Sequence, residues 1–329
     1  MKPDPGTNTI GVLTDWVDKS NNYQMHIIRG VQAYASDHRL SVHLLSTGRT
    51  TGRTRKSVGP LRILEELKPD SLCGLVVLSG ALRNYVDPDE MSRVLAQLKP
   101  MPVVGVGGGL RAFPEVTIDN QAGLRDAITH IVLEHGRRRL AFIGGVPGHP
   151  DEVLRREVFE HTAARLGIPM SAHMIYEDNF YPETGRAGVH AILERTDEHP
   201  DALICANDDI AAGAWQELEN RGLQVPHDVV VVGFDNIIQE DTTGLSLSSV
   251  AQPLHEMGVT AAGMIDRARR NGEAFNSTRC KTTFIARESC GCHAKPVDLL
   301  ETDTQLHDTC HEALREELRE HHAGALISS

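Results

Sequence analysis

No stretch of the chain reaches the roughly 18 consecutive apolar residues from which a membrane-spanning helix is read, so an ordinary transmembrane segment and a membrane partner are excluded. The opening MKPDPGTNTIGVLTDW lacks the apolar centre of a secretion signal, so the chain is expected to be cytoplasmic. Positive charge is also scarce. The 33 Lys and Arg against 45 Asp and Glu leave a formal net charge of −12, which opposes attraction to phosphate backbones, and no direct nucleic-acid contact by this chain is expected. The six cysteines, Cys73, Cys205, Cys280, Cys290, Cys292 and Cys310, are too scattered among 329 residues for a disulfide framework. Cys290-Gly291-Cys292-His293 is a tight cluster that can seed a metal or redox site, but no second pair completes a four-ligand zinc set at usual spacing, so no metal is expected.

Catalytic signatures are missing as well. There is no phosphate-loop Gly-Lys-Ser/Thr and no Gly-x-Ser-x-Gly elbow. The run Gly105-Val106-Gly107-Gly108-Gly109 follows a strand, but Leu110 stands where a dinucleotide loop needs its third glycine and Pro114 interrupts any helix, so no cofactor is expected. His307 and His311 have helical metal spacing without the adjacent Glu of zinc proteases. No nucleophile, base and oxyanion donor assemble, and the chain is expected not to be an enzyme. A nicotinamide-dependent oxidoreductase stays as an alternative that cofactor titration would reveal.

What is present is a repeated strand, polar loop and amphipathic helix. The most informative unit runs from Ala202 to Asn236. Two short β-branched runs, Ala202 to Cys205 and Val229 to Val232, flank a helix-period pattern at Ile210, Ala211, Ala214, Trp215 and Leu218, closed by Gly222 and Pro226. Such a βαβ unit makes its strands parallel, so Asn207, Asp208 and Asp235 emerge at the carboxyl edge, where open α/β sheets hold ligands. Similar units precede it: strands at Ile10 to Leu13, Val42 to Leu45, Gly74 to Leu78, Val103 to Val106, Leu140 to Ile143 and Met174 to Tyr176, with helices near Tyr23 to His38, Glu90 to Leu98, Gln121 to Glu134, Glu152 to Leu166 and Glu183 to Glu194. Later come Leu247 to Ala251, a helix near Leu254 to Arg270 and a strand near Thr282 to Ala286, expected to return to the first lobe. The expected fold is α/β, two doubly wound Rossmann-like lobes. Residues 8–118 and 248–292 form the N-terminal lobe and 119–247 the C-terminal lobe. Residues 293–329 form a helical connector, striped by Leu306, Cys310, Leu314 and Leu318, that packs on a twin or leads into an output domain.

The run NDDIAAGAWQELENRGLQVPHDVVVVGFDN, followed by SVAQPLHEMG, resembles the ligand-binding core of the lactose-repressor family, which shares its fold with type I periplasmic binding proteins. The resemblance covers nearly all of residues 8–292. VTIDNQAG, HGRRRLAFIGG and the ending ARESCGC are similar to sensor regions joined to bacterial signalling output domains. The resemblance implies two lobes joined by three crossovers, with a small polar ligand in the cleft between them. It also implies site residues: Arg155, which forks onto ligand oxygens; Asn207 and Asp235 at strand ends; Gln252 at the third crossover; Asp15 and Tyr23 in the first lobe; and Phe180 as a stacking ring. The Asp-Arg pair that sugar binders often carry after the fourth strand is absent, GVGGGLR standing there, so sugar specificity is not inherited.

Each of these residues has a plainer role open to it. Asn207 and Asp208 can cap a helix, Asp235 can form a turn, and Arg155 beside Arg156 can be half of a surface ion pair. Arg49 to Lys56 and Arg137 to Arg139 read as solvated surface. The expected function is a sensor, a regulatory domain of a transcription regulator or signalling protein, responding to its ligand by lobe closure or homodimer rearrangement. A solute-binding protein of a transport system is the alternative by fold. Lactose-repressor relatives normally carry a DNA-binding segment before the first strand, and about nine residues precede Ile10 here.

Overall fold

The computed structural model describes residues 8–15, 17, 22–46, 59–68, 70–84, 86–110, 112–195, 199–237, 246–272 and 275–292. Among these, residues 8–118 and 253–280 form one compact unit and 119–252 and 281–292 another. The chain passes between them after Ile118, Gln252 and Cys280, which makes the three crossovers. The expected connector and its leucine stripe lie outside the described residues, as do Arg49 to Lys56, His307 and His311. No helix of the described residues is long and apolar enough to cross a membrane.

The first unit runs β1 (Thr9–Thr14), α1 (Asn22–Asp37), β2 (Ser41–Ser46), α2 (Gly59–Glu66), β3 (Gly74–Val77), α3 (Ser79–Leu82), α4 (Pro88–Leu95), β4 (Val103–Val106) and β5 (Glu115–Ile118). The second runs α5 (Ala122–Leu133), β6 (Leu140–Gly144), α6 (Pro150–Arg165), β7 (Ile175–Glu177), α7 (Pro182–Arg195), β8 (Ala202–Cys205), α8 (Asp208–Asn220), β9 (Val230–Asp235) and β10 (Ser248–Ala251). The chain then returns as α9 (Leu254–Asn271) and β11 (Thr278–Cys280) in the first unit, and β12 (Thr283–Ile285) in the second.

Each unit holds a six-stranded sheet, ordered β11-β5-β4-β3-β1-β2 and β12-β10-β9-β8-β6-β7. All pairings are parallel except β10 with β12. Both sheets contain the 2-1-3-4-5 strand order, whose ligand crevice lies where the winding reverses, between β1 and β3 and between β6 and β8. Every residue of β3, β4, β8 and β10 is buried, as expected of strands covered on both faces. Leu13, Leu75, Val77, Leu95, Val103 and Leu110 pack into the first unit's core, and Phe142 stacks on Phe159, centroids 5.2 Å apart, in the second.

One device is used twice. A Cβ on Gly30 of α1 would lie 1.9 Å from the His255 carbonyl oxygen of α9, and one on Gly258 2.0 Å from that of Ile27. In the second unit a Cβ on Gly185 of α7 would lie 2.0 Å from the Ile210 oxygen of α8, and one on Gly213 1.9 Å from that of Pro182. Each helix pair thus crosses backbone to backbone over reciprocal glycines.

Two expectations are corrected. Ser248–Ala251 and Thr283–Ile285 do not return to the first lobe: β10 aligns Ser248 with Val232 of β9, and β12 pairs antiparallel with β10. Only residues 253–280 go back. The ARESCGC ending explains why the second sheet keeps this edge. Buried Arg287 donates to the Leu247 carbonyl and to Asn236 Oδ1 at 2.7 Å, while Ser289 Oγ donates to the Val231 carbonyl at 2.6 Å. The strands β5 and β11 and the helices α2 and α3 were also absent from the periodicity, being short or polar.

Candidate functional site

Parallel strands bring the ends of β6, β8, β9 and β10 to one edge of the second sheet. At β6 the backbone leaves through Gly144 and Gly145, and α6 begins after His149, whose side chain caps Asp151 N–H at 3.2 Å, with Pro150 at the first helical position. Glu152, one turn in, is fully buried and accepts from Gly145 N–H at 2.6 Å through Oε2, while Oε1 has no partner among the described residues. Burial pushes its carboxyl up to about 7 against the opposing pull of the Gly145 bond and Arg155.

Arg155 follows three positions later, on the same helix face. It is 5% exposed, far from the surface pair that Arg155-Arg156 also permits. Its Nε donates to Asn120 Oδ1 at 3.0 Å, its Nη1 to the Ala206 carbonyl at the end of β8, and its guanidinium carbon lies 3.6 Å above the centre of the Phe234 ring. Nη2 has no hydrogen bond among the described residues. Arg156 is the surface partner, paired with Glu160 at 3.0 Å and Glu177 at 2.8 Å.

Asp235 ends β9 with a φ of 107°, a conformation disfavoured for a side-chain-bearing residue and characteristic of strained ligand sites. One carboxylate oxygen accepts from Gln252 Nε2, and the other has no hydrogen bond among the described residues. Burial raises its pKa well above the ordinary carboxylate value, Arg155 opposing and Asp208 adding to the rise. Arg155, Asp235 and Gln252 are therefore brought together at one sheet edge.

Asn207 and Phe180 meet differently. Asn207 caps α8, its Oδ1 accepting from Ile210 N–H at 2.9 Å, and its Nδ2 donates to the Phe180 carbonyl at 3.1 Å. The Phe180 ring lies against Gly145, where a Cβ would come within 2.1 Å, and edge-on to His149 with centroids 5.3 Å apart. Asp208 is not the cap. Fully buried, it accepts from Ser249 Oγ at 2.6 Å and Ile237 N–H at 2.7 Å, strapping α8 to the strands beyond. Asp209 beside it is raised to about 6 by burial and by Glu183.

In the first unit Asp15 directly follows β1, buried, accepting from Gln24 Nε2 at 3.1 Å and Thr14 Oγ1 at 3.3 Å. Tyr23 opens α1, its hydroxyl 3.3 Å from where a Cβ on Gly107 would lie. Gly107, Gly108 and Gly109 have φ of 90°, 84° and 112°, so this glycine run is a left-handed loop that leads to β5. A dinucleotide loop opens a helix instead. Sequence reasoning missed Asn120, His149 and Glu152; a helix-start Pro-Asp-Glu was the only local signal for the last two. Arg137 to Arg139, read as solvated, bind the second unit's own loops: Arg137 Nη2 donates to the Pro226 carbonyl at 2.8 Å and Arg139 Nε to that of His199 at 2.7 Å.

A periplasmic binding protein-like domain model matches residues 129–290. Catabolite control protein A of Priestia megaterium is 25% identical over 265 residues, 79% of this chain and 75% of that protein. The chain is similar to the ligand-binding domain of lactose-repressor-family regulators. Among other relatives, the ribose operon repressor of Haemophilus influenzae is 26% identical, covering 86% of this chain and 81% of that one. In solved structures, the transcriptional regulator CelR in complex with cellobiose superposes with a TM-score of 0.72 at 25% identity, over 87% of this chain and 86% of that one. A LacI-family regulator from Mycobacterium smegmatis superposes at 0.71 and 24%, over 85% and 98%, a likeness of fold. The relatives named are transcription regulators.

Proposed function

We propose that this lactose-repressor-type domain senses a small hydroxyl-rich ligand, sugar-like in chemistry, at the carboxyl edge of its second sheet, and performs no chemistry of its own. The observation that carries this is the pairing of unclaimed valences: among the described residues Arg155 keeps Nη2 and Asp235 keeps one carboxylate oxygen without partners, while Gln252 orients Asp235. A vicinal diol both donates and accepts, so one face of a sugar satisfies both, and a ligand lacking either hydroxyl leaves a buried polar group unpaired. Phe180 offers an apolar ring face beside them, and Asn207 retains its second amide N–H. Asp15 and Tyr23 occupy the equivalent edge of the first unit and are proposed to supply its contacts. CelR bound to cellobiose supports the ligand class.

The signal arises from a difference in ligand affinity between alternative arrangements of the domain, by closure or by rearrangement of a homodimer. The regulator relatives favour this over a transport role, and the glycine loop leading into a strand disfavours nicotinamide binding. The test is calorimetric titration with mono- and disaccharides, polyols, nucleobases and small acids. Arg155→Ala and Asp235→Ala are each expected to weaken the hit by at least about 30-fold, the worth of roughly 2 kcal/mol for a charge-assisted bond. Full affinity in both variants would overturn the assignment.

A further inference from the structure

Four soft ligand atoms converge in the second unit at a place that plays no part in the ligand edge. His130 lies in the last turn of α5 and His135 just beyond it, while Cys290 and Cys292 close the ARESCGC segment after β12. The His130 and His135 Nε2 atoms are 3.1 Å apart; Cys292 Sγ is 3.3 Å from the first and 3.4 Å from the second; Cys290 Sγ is 3.9 Å from His130 Nε2. All four atoms fall within 4.8 Å of one another. A tetrahedral zinc with bonds of about 2.0–2.1 Å to nitrogen and about 2.3 Å to sulfur has edges of about 3.3 Å between nitrogens and about 3.6 Å between nitrogen and sulfur. The observed nitrogen–nitrogen separation lies just below the first of those lengths, and the nitrogen–sulfur separations bracket the second.

We propose that His130, His135, Cys290 and Cys292 form a closed, structural site for zinc or a similar soft divalent transition ion. The donor set, two imidazoles and two thiolates, is the one such ions select over calcium or magnesium. Hydrogen bonding alone explains the cluster less well, because neutral rings share a single proton between two facing nitrogens and thiols donate weakly. The backbone is shaped for the approach. Gly291 has a φ of 94°, and a Cβ there would lie 3.3 Å from the His135 ring, so the Cys-x-Cys turn folds directly over the imidazole. The loop is held by Gly291 N–H donating to the Glu288 carbonyl at 2.8 Å and Cys292 N–H to that of Arg287 at 3.2 Å. Cys290 is buried and the other three are half-buried, which limits solvent access. On binding, two thiol protons pass to solvent, and Cys290 gives up its thiol contact of 3.1 Å with the Arg287 carbonyl. The ion then pins the chain at residue 292 to α5, so the segment from residue 293 onward departs from a fixed point.

The test uses the full chain without a histidine tag, reduced, reconstituted with zinc and passed over a chelating resin, with metal read by plasma mass spectrometry. One zinc per chain is expected in the wild type, with loss of that equivalent in Cys292→Ser and in His135→Ala. Cys73→Ser, in the first unit and away from the cluster, is expected to retain it. Cobalt substitution of the wild type, which needs no variant to fold, is expected to give the visible bands of tetrahedral coordination with thiolate charge transfer. Zinc stripped completely from the wild type, cobalt spectra without thiolate bands, or equal retention by Cys292→Ser and His135→Ala would each overturn the site.

Discussion

Arg155 and Arg156 are neighbours of identical chemistry with opposite fates, and the difference is which face of α6 each occupies. Arg156 meets Glu160 and Glu177 in partly exposed pairs that contribute little to stability. Arg155 is enclosed, over Phe234 and against Asn120. Asn207 shows the converse: its cap is compatible with the ligand role proposed for it, since the cap takes one lone pair only. Glu152 gives a sharper prediction. Its pKa of about 7, raised by burial, means the folded protein binds this proton more tightly than the unfolded chain. Its contribution is therefore fully present below the ordinary carboxylate value and lost as pH rises through about 7. Glu152→Gln is expected to remove up to about 3 kcal/mol of pH-dependent stability change between these values, so that denaturant titrations show the variant gaining on the wild type as pH rises. Parallel pH profiles would show that Glu152 titrates normally.

Helix pairs decide how the elements stack. In an unobstructed helix, Gly213→Ala would stabilise by about 1 kcal/mol through helix propensity. Here the added methyl meets the Pro182 carbonyl at 1.9 Å, a backbone atom that cannot rotate away. Net destabilisation of about 1–3 kcal/mol is expected for Gly213→Ala, and the same for Gly30→Ala in the first unit. Thermal melts of the two variants check it, and a raised midpoint would refute the close crossing. Periodicity in the sequence located most strands and helices because their apolar residues recur at fixed intervals. It put β10 and β12 in the wrong lobe, because the pattern of a buried strand carries no information about its partner. Nor did it find β5, whose four residues include Glu115, an acceptor for Leu110 N–H at 2.7 Å.

For the molecule as a whole, two units of the same strand order hold their polar groups at corresponding sheet edges, a consequence of parallel winding in both. On the proposed sensing role, a ligand present at about a hundred times its Kd stabilises the folded domain by about 2.7 kcal/mol. That corresponds to a rise in melting temperature of about 5–10 °C, and differential scanning fluorimetry against the same ligand panel reads it. Absence of any shift across sugars and polyols would remove hydroxyl-rich ligands from consideration.

The amino-acid order alone established the α/β class, the repeated βαβ winding and the polar residues at strand ends, because hydrophobic period and turn chemistry are local properties. It also carried the family likeness, since motifs such as the Asn-Asp pair and the Gly-Phe-Asp strand end are contiguous. The second half of the histidine–cysteine cluster was illegible for the opposite reason. His130 and Cys292 are 162 positions apart, and neither the spacing of two histidines nor a lone Cys-x-Cys marks a ligand set. The crossover at Cys280, which sends β12 and the segment behind it back to the second unit, brings them together. Likewise, burial of Glu152 and the backbone twist at Asp235 depend on what packs around them, and packing is fixed only when distant stretches of chain meet.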